Sequence, residues 1–79
     1  MWVNPKDYKH VGAALAAARG RAGLTQVQLA RLLRKPQSFV SNYERGQRRI
    51  DVLEMLRIVE ALKGNPRRMF ADILKRSGG

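Results

Sequence analysis

The sequence predicts an all-α domain of five short helices. Three observations support this fold class: hydrophobic residues make up 44% of the 79 residues but aromatic residues only 6%, helix-capping patterns recur, and no alternating apolar pattern indicates a strand. A chain of this length can bury one core. We therefore expect a single domain at residues 8–75, with an N-terminal extension at 1–7 and a flexible tail at 76–79.

Helix 1 is predicted from apolar residues that recur at spacings of three and four. They are Tyr8, Val11, Leu15, Ala18 and Ala22. Gly23 should end this helix, and Asn4 with Pro5 could start it early. Trp2 is expected either to pack the N-terminus onto the domain or to be unrelated to the fold.

Helices 2 and 3 are predicted to follow each other closely. Thr25 and Gln28 form the T-x-x-Q pattern of a capping box, so Thr25 should cap helix 2. Pro36 ends this helix and begins the next, which leaves Arg34 and Lys35 for the turn. The residues expected to anchor helix 2 in the core are Leu29, Ala30, Leu32 and Leu33.

After Gly46, which should close helix 3, capping signals open two further helices. Asp51 and Glu54 form a second capping box, and Asn65 precedes Pro66 at the first helical position. The predicted inner stripes are Val52, Leu53, Leu56, Val59 and Leu62 in helix 4, and Met69, Phe70, Ile73 and Leu74 in helix 5. Any helix 5 residue of this stripe left outside the core would be a candidate for a dimer interface.

The chain is strongly basic. It has 16 Lys and Arg residues against 6 Asp and Glu, which gives a net charge of +10. Such an excess on a small domain raises the local concentration of polyanions and is typical of nucleic-acid binding, although it could also serve solubility alone. Five of the six acids lie after residue 43, so we expect them on faces turned away from the anion or inside the fold.

Several other function classes find little support. There is no cysteine, which excludes disulfides and thiolate metal sites, and the longest apolar run, at residues 13–18, is too short to span a bilayer. His10 is the only histidine, and no constellation of His, Cys or paired carboxylates suggests catalysis. We therefore expect a cytoplasmic, nucleoid-associated protein that is not an enzyme and needs no cofactor or metal.

Helix 3 distributes its side chains unusually around its axis. At about 100° per residue, Val40 and Tyr43 point to the core, with Phe39 and Glu44 at the two borders. The opposite sector, roughly 140° wide, holds Gln37, Ser38, Ser41, Asn42 and Arg45. Ser and Asn are poor choices for a merely solvated helix, but amides and hydroxyls can read base-pair edges. Phe39 should be partly exposed, and a core role, a packing role and a DNA contact all remain open for it.

Two segments of the chain, LTQVQLARLL and KPQSFVSNYERG, resemble the phage-repressor class of helix-turn-helix proteins, the Cro and CI type or XRE family. The shared patterns are T-Q-x-x-L-A and Q-S-x-V-S-x-Y-E-R-G at fixed spacing, within about residues 8–75. The resemblance implies a compact five-helix fold of the lambda-repressor type. Helices 2 and 3 would form the helix-turn-helix, and helix 3 would enter the major groove of DNA.

The resemblance also implies roles for individual residues. Gln26 would bind a DNA phosphate and support Gln37 for base contact. The implied base-contacting residues are Gln37, Ser38, Ser41 and Asn42, and the implied phosphate-contacting residues are Gln26, Lys35, Arg45, Gln47, Arg48 and Arg49. Arg19 and Glu44 match a partly buried salt bridge, which assigns them to structure. Arg34 stands where the family usually has glycine at positive φ. If that geometry is kept, Arg34 carries about 1 kcal/mol of backbone strain; the alternative is a locally altered turn.

From these observations we expect a transcriptional regulator that binds double-stranded DNA sequence-specifically, and a repressor in particular. Relatives of this class bind palindromic operators as homodimers, so the same is expected of this chain. The alternative is a protein-interaction module of the same fold, such as an antitoxin or a coactivator-like bridging protein. A basic surface that attaches to anionic membranes is a more distant alternative.

Overall fold

Five α-helices follow one another along the chain, and no strand occurs among residues 7–78, the part of the chain that this computed structural model describes. They are α1 (Asp7–Arg21), α2 (Gln26–Leu33), α3 (Gln37–Glu44), α4 (Val52–Ala61) and α5 (Pro66–Arg76). The all-α prediction is therefore confirmed. The expectations for Trp2, Asn4 and Pro5 lie outside the described residues, as does Gly79 of the predicted tail.

The predicted side-chain caps open three of the helices. Thr25 Oγ1 accepts from the backbone N–H of Gln28 at 3.1 Å, and Gln28 Oε1 accepts from the backbone N–H of Thr25 at 2.9 Å. Asp51 and Glu54 form the same reciprocal pair at 2.8 and 3.1 Å. Asn65 caps α5 by accepting N–H groups of its first turn. Each cap satisfies backbone donors that a helix start leaves unpaired.

α1 packs closely against α3, and Gly23 terminates it as predicted. Gly12 is buried in this contact. Gly23 has φ 73° and terminates the helix, because a left-handed residue at this position lets the following N–H groups bond back to the last turn. Ala22 lies beyond the end of α1 and is exposed, contrary to its predicted place on the inner stripe.

Among residues 7–78, the helices enclose one cluster of buried side chains. Its members are Ala14, Leu15, Leu29, Ala30, Phe39, Val40, Tyr43, Met55, Ile58, Val59, Leu62 and Met69. α1, α2 and α3 all contribute to this core. One face of α3 is therefore packed against the other helices, and its opposite face is left uncovered by them.

α4 buries only part of the stripe predicted for it: Val59 and Leu62 are buried as expected, but the other three residues are not. Val52 and Leu53 are 65% and 68% exposed, and Leu56 is also exposed. The buried residues are Met55, Ile58, Val59 and Leu62, at spacings of three and four. Apolar residues surround much of α4, so its sequence is compatible with two stripes, and only the packing of the other helices selects between them.

α5 also leaves part of its predicted inner stripe outside the core. Met69 is buried and Ile73 is partly buried, as expected. Phe70 and Leu74 are 45% and 59% exposed, so their assignment to the core was wrong. Leu32 of α2 is likewise 59% exposed instead of anchoring its helix. These residues lie on faces that no other described helix covers.

Candidate nucleic-acid interface

The turn between α2 and α3 is closed by backbone hydrogen bonds around Arg34. This residue has φ 56° and ψ 43°, in the left-handed region. The N–H groups of Arg34 and Lys35 donate to the carbonyls of Arg31 and Ala30 at 3.1 and 3.0 Å, the pairing of a Schellman motif. The glycine-like conformation implied for Arg34 is therefore present, and it sets the direction in which α3 leaves the turn at Gln37.

α3 ends in a second turn of the same kind. Gly46 has φ 76°, and its N–H donates to the carbonyl of Tyr43 at 3.0 Å, while the N–H of Gln47 donates to the carbonyl of Asn42 at 2.9 Å. A Cβ atom on Gly46 would lie only 2.9 Å from the Cα atom of Lys9 in α1. Both the positive φ and the close approach of Lys9 therefore require glycine at this position. The prediction that Gly46 closes helix 3 is confirmed.

The outer face of α3 brings together the side chains predicted to contact bases. They are Gln37 and Ser38, which are exposed, and Ser41 and Asn42, which are half-buried. On the opposite face, Val40 and Tyr43 are fully buried. Nη2 of Arg45 donates to Oδ1 of Asn42 at 2.9 Å, which connects the C-terminal end of the helix to this outer face.

A chain of side-chain hydrogen bonds leads from α1 to the first residue of α3. Nε and Nη2 of Arg19 donate to Oε2 and Oε1 of Glu44 at 2.8 and 3.0 Å. Nε2 of Gln26 donates to the same Oε1 of Glu44 at 2.9 Å, and Oε1 of Gln26 accepts from Nε2 of Gln37 at 3.3 Å. We call these four residues the relay. The structure thus contains the Arg19–Glu44 ion pair and the Gln26–Gln37 contact that the resemblance implied, and it joins them through a bond that the sequence did not reveal.

The ion pair of the relay is largely shielded from solvent. The side chain of Glu44 is 6% exposed and that of Arg19 is 21% exposed. The hydrogen bonds to Glu44 raise the pKa of the Arg19 guanidinium above its ordinary value, against the opposing effect of burial. Nη1 of Arg19 also donates to the carbonyl of Leu24 at 2.9 Å, so one guanidinium connects α1, the loop before α2 and the end of α3.

Arg48, implied as a phosphate contact, is engaged by an acid of α4. Its Nη1 and Nη2 donate to Oε1 and Oε2 of Glu54 at 3.1 and 3.0 Å, and Nη1 also donates to the carbonyl of Arg49. The bond from Arg48 lowers the pKa of the Glu54 carboxyl, and the backbone N–H of Asp51 lowers it further. Arg48 keeps 40% of its side-chain surface exposed, so only part of it can meet a phosphate.

Phe39 is buried, and the expectation that it would be partly exposed was wrong. The residue is 9% exposed, and its ring meets the ring of Tyr43 edge to face, with centroids 5.4 Å apart. The ammonium of Lys35 and the guanidinium of Arg48 lie 5.6 and 4.6 Å from its centroid. The side chains of Lys35, from the preceding turn, and Arg48, from the following loop, cover this border of the helix. A helical-wheel projection of α3 alone does not contain these two residues, so it could not predict the burial of Phe39.

The remaining side chains implied as phosphate contacts lie at the two ends of α3. Lys35 stands before its first turn, and Arg45, Gln47 and Arg49 follow its last turn; all four are exposed. Within α3 the one charged residue is Glu44, which belongs to the relay. The outer face of the helix is therefore neutral and hydrogen-bonding, and it lies between two basic ends.

Among residues 7–78, the structure offers no cluster of metal-ligating side chains. No three His, Cys, Asp or Glu residues come close enough together to hold an ion. None of the five described helices is long and apolar enough to cross a membrane.

Three further structural features escaped prediction. Gly12 lies four residues after Tyr8 and three before Leu15, and a glycine at that spacing on an apolar stripe signals close helix packing. Glu54 was predicted only as a capping residue, because its pairing with the loop depends on tertiary structure. Lys63 has φ 55° at the end of α4, although the glycine that usually takes this conformation is the next residue.

Comparisons with known proteins agree with this geometry. A family model described as Helix-turn-helix matches residues 15–68. No curated protein matches the chain significantly. A solved structure of the Clp gene regulator ClgR from Corynebacterium glutamicum superposes with a TM-score of 0.83 at 23% identity, over 87% of this chain and 90% of that one, and supports the fold alone.

Two further solved structures are closer in sequence. The restriction-modification controller protein C.AhdI from Aeromonas hydrophila is 35% identical, with a TM-score of 0.76, over 82% of this chain and 98% of that one. An XRE-family like protein from Pseudomonas syringae pv. tomato str. DC3000 is also 35% identical, with a TM-score of 0.76, over 86% and 83% of the two chains. With the family match and the observed turn between α2 and α3, these similarities show that the chain belongs to the XRE family of helix-turn-helix DNA-binding transcriptional regulators.

Proposed function

We propose that this protein is a sequence-specific transcriptional repressor that binds a palindromic operator as a homodimer, with α3 of each copy in the major groove. The observation that carries the proposal is the neutral, hydrogen-bonding face of α3 between two basic ends. Two structures at 35% identity, named as a restriction-modification controller protein and an XRE-family like protein, support a regulatory role. Such a repressor acts on DNA in the cytoplasm, at the nucleoid.

Base reading is assigned to four side chains of α3. Gln37 and Ser38 reach the groove first, from the N-terminal turn, and Ser41 and Asn42 follow one turn later. Because Oδ1 of Asn42 accepts from Arg45, the amide of Asn42 retains N–H donors for purine N7 or thymine O4. The serine hydroxyls can donate or accept. Phe39 is left out of the proposed set, since its ring lies in the core.

Phosphate contacts position the protein at both ends of α3. Gln26 is the first residue of α2, where backbone N–H groups and the helix dipole favour an anion. The exposed side chains of Lys35, Arg45, Gln47 and Arg49 add donors on either side of the reading face. Arg48 contributes through the part of its guanidinium that Glu54 does not cover.

A second copy is proposed to cover the apolar α4–α5 surface, which consists of Val52, Phe70 and Leu74. These residues are 65%, 45% and 59% exposed. Val52 and Phe70 also border a concave site of about 220 Å³ that reaches inward to Met55 and Ile73. A two-fold axis through this surface would bury the same residues on both copies. Dimers of this class place their two reading helices on half-sites about one DNA turn, roughly 34 Å, apart, and the same spacing is proposed here.

The experiment that tests the proposal is a selection from randomised DNA duplexes with the wild-type protein. Enrichment of a two-fold symmetric sequence is expected, with affinity that falls as salt rises. The enriched sequence gives the half-site, and its symmetry reports the dimer. Repression is then tested by placing that sequence across a promoter that drives a reporter gene. If no sequence is enriched, the proposal has to be abandoned in favour of a protein-interaction module with the same fold.

A further inference from the structure

We infer that the Arg19–Glu44 ion pair determines which base Gln37 prefers, although Glu44 is almost fully buried. The inference rests on the proposed DNA-binding function. It gives the two charged residues a part in specificity, where the family resemblance assigned them to structure alone. Its basis is the direction of each hydrogen bond in the relay.

The direction is set at Glu44. A carboxylate paired with a guanidinium has acceptors only, and Oε1 of Glu44 already accepts from Nη2 of Arg19 at 3.0 Å. The part of Gln26 that meets this oxygen at 2.9 Å therefore has to be its amino group. Because the amide is planar, its carbonyl oxygen is then available on the other side, where Gln37 lies.

Gln26 in turn fixes the orientation of the Gln37 side-chain amide. The carbonyl oxygen of Gln26 can only accept, so Gln37 presents its Nε2 group, at 3.3 Å. This bond uses one N–H of Gln37 and leaves one N–H donor beside the Oε1 acceptor for a ligand. If Glu44 did not restrain it, the amide of Gln26 could turn over and donate to Oε1 of Gln37, which would free both N–H groups of Gln37 to donate to two acceptors.

One donor beside one acceptor matches the major-groove edge of adenine, which offers N7 as an acceptor and N6 as a donor. Guanine offers two acceptors, N7 and O6, so the carbonyl oxygen of Gln37 would oppose O6. The relay therefore favours adenine over guanine at the position that Gln37 reads.

Arg19 acts by holding the carboxylate of Glu44 in one orientation. It donates to both carboxylate oxygens, and its own position is held by the third bond, to the carbonyl of Leu24. Arg19 and Glu44 are thus positioning residues that act through Gln26.

The test compares two variants of the ion pair with a matched control. Glu44→Gln replaces the acceptor-only group by an amide of the same shape. The double variant Arg19→Met with Glu44→Met removes both charges together and guards against loss of folding, because buried ion pairs can often be replaced by apolar residues of similar size. Asp72→Asn is the control, since it breaks an ion pair of similar length, 3.1 Å, within α5. The DNA position is identified as the one whose preference collapses in Gln37→Ala.

Two measurements are made on each protein. Competition binding with duplexes that carry adenine or guanine at the identified position should show about a tenfold loss of adenine preference in both ion-pair variants, with other positions unchanged. NMR of the free proteins should show shifted side-chain amide resonances for Gln26 and Gln37 in the ion-pair variants and unchanged ones in the control.

The outcomes separate this inference from the proposed function. Folded ion-pair variants that keep the wild-type preference, or that leave the amide resonances of Gln37 in place, would overturn the inference while DNA reading stands. If the wild-type protein enriches no sequence, the proposed function fails first, and the inferred base preference falls with it even where NMR detects the relay.

Discussion

Gly12 of α1 lies directly against the backbone of Glu44 at the end of α3, where an added Cβ atom would be 2.5 Å from the carbonyl oxygen of Glu44. The same atom would collide with the carbonyl oxygen of Tyr43. The absence of a side chain at Gly12 therefore allows the two helices to pack at their observed separation, and this contact supports α3 from behind.

Replacement of Gly12 by alanine should destabilise the protein. Overpacking against a rigid backbone costs about 1–3 kcal/mol, which outweighs the helix-propensity gain of up to about 1 kcal/mol. Urea unfolding followed by circular dichroism would measure the change. The matched control is Gly20→Ala in the same helix, where no atom from another part of the chain lies within 4 Å of the added Cβ and a small gain in stability is expected. Equal effects at both positions would contradict the packing argument.

Arg34→Gly should stabilise the fold by about 0.5–1 kcal/mol. The left-handed conformation of Arg34 is unfavourable for a residue with a Cβ atom, whereas glycine adopts it freely. Thermal unfolding at fixed protein concentration is a suitable measurement. Arg31→Gly, in the last turn of α2, removes the same charge from a helical position and should lower stability by about 1 kcal/mol. A loss of stability in Arg34→Gly would show that its backbone is not strained.

Tyr43→Phe should remove a decline in stability at alkaline pH. Burial raises the pKa of the Tyr43 phenol well above its ordinary value of 10, so the folded state holds the proton that the unfolded state releases. This contribution is fully present below about pH 10 and is lost as pH rises towards the folded pKa. No described residue hydrogen-bonds the hydroxyl, so near neutral pH the variant should be at least as stable as the wild type.

Chemical unfolding at a series of pH values between 8 and about 11.5 would follow this difference, with Tyr8→Phe as the control that keeps the decline. Parallel stability curves for the wild type and Tyr43→Phe would argue against a buried, neutral phenol.

Asn42→Ala and Arg49→Ala should affect DNA binding in different ways. Loss of the Asn42 amide should reduce discrimination between bases at one position by about 1–3 kcal/mol and leave the salt dependence of DNA affinity unchanged. Loss of Arg49 should weaken binding to all sequences alike and reduce the slope of log affinity against log salt by about one. Arg48→Ala should reduce that slope less, since Glu54 already neutralises part of its charge.

Fluorescence anisotropy with matched and mismatched duplexes at several salt concentrations would distinguish these effects. A sequence-selective loss in Arg49→Ala, or a uniform loss in Asn42→Ala, would reverse the roles assigned here.

Leu74→Glu should disrupt the proposed dimer. A carboxylate on the apolar α4–α5 surface would have to be desolvated when two copies meet, which costs several kcal/mol if it finds no partner. Sedimentation velocity would show a shift towards monomer at a given concentration. Leu32→Glu is the matched control, because both leucines are 59% exposed but Leu32 lies on α2. Equal sedimentation of both variants and the wild type would exclude this surface as the interface.

Local chemistry made the helix boundaries predictable from sequence. The capping boxes at Thr25 and Asp51 and the cap at Asn65 depend on residues three or fewer positions apart, so tertiary structure had little part in them. The left-handed turn at Arg34 was equally accessible through the family resemblance.

Long-range packing decided the features that prediction missed. Three of these features depend on residues from elsewhere in the chain. They are the face that α4 buries, the covering of the Phe39 ring by Arg48, and the ion pair between Arg48 and Glu54. Helical periodicity assigns a stripe to each helix in isolation, and it cannot show which of two apolar stripes another helix will cover.

The relay divides the reading face of α3 into positions that differ in how freely they can change during evolution. Gln37 is connected through Gln26 to a buried ion pair, so a substitution there also disturbs contacts that hold α1 and α3 together. The side chains of Ser38 and Ser41 hydrogen-bond to no residue that the structure describes, and they can be exchanged with less effect on folding. New operator preferences should therefore arise first at the serine positions, while the glutamine position retains the ancestral base.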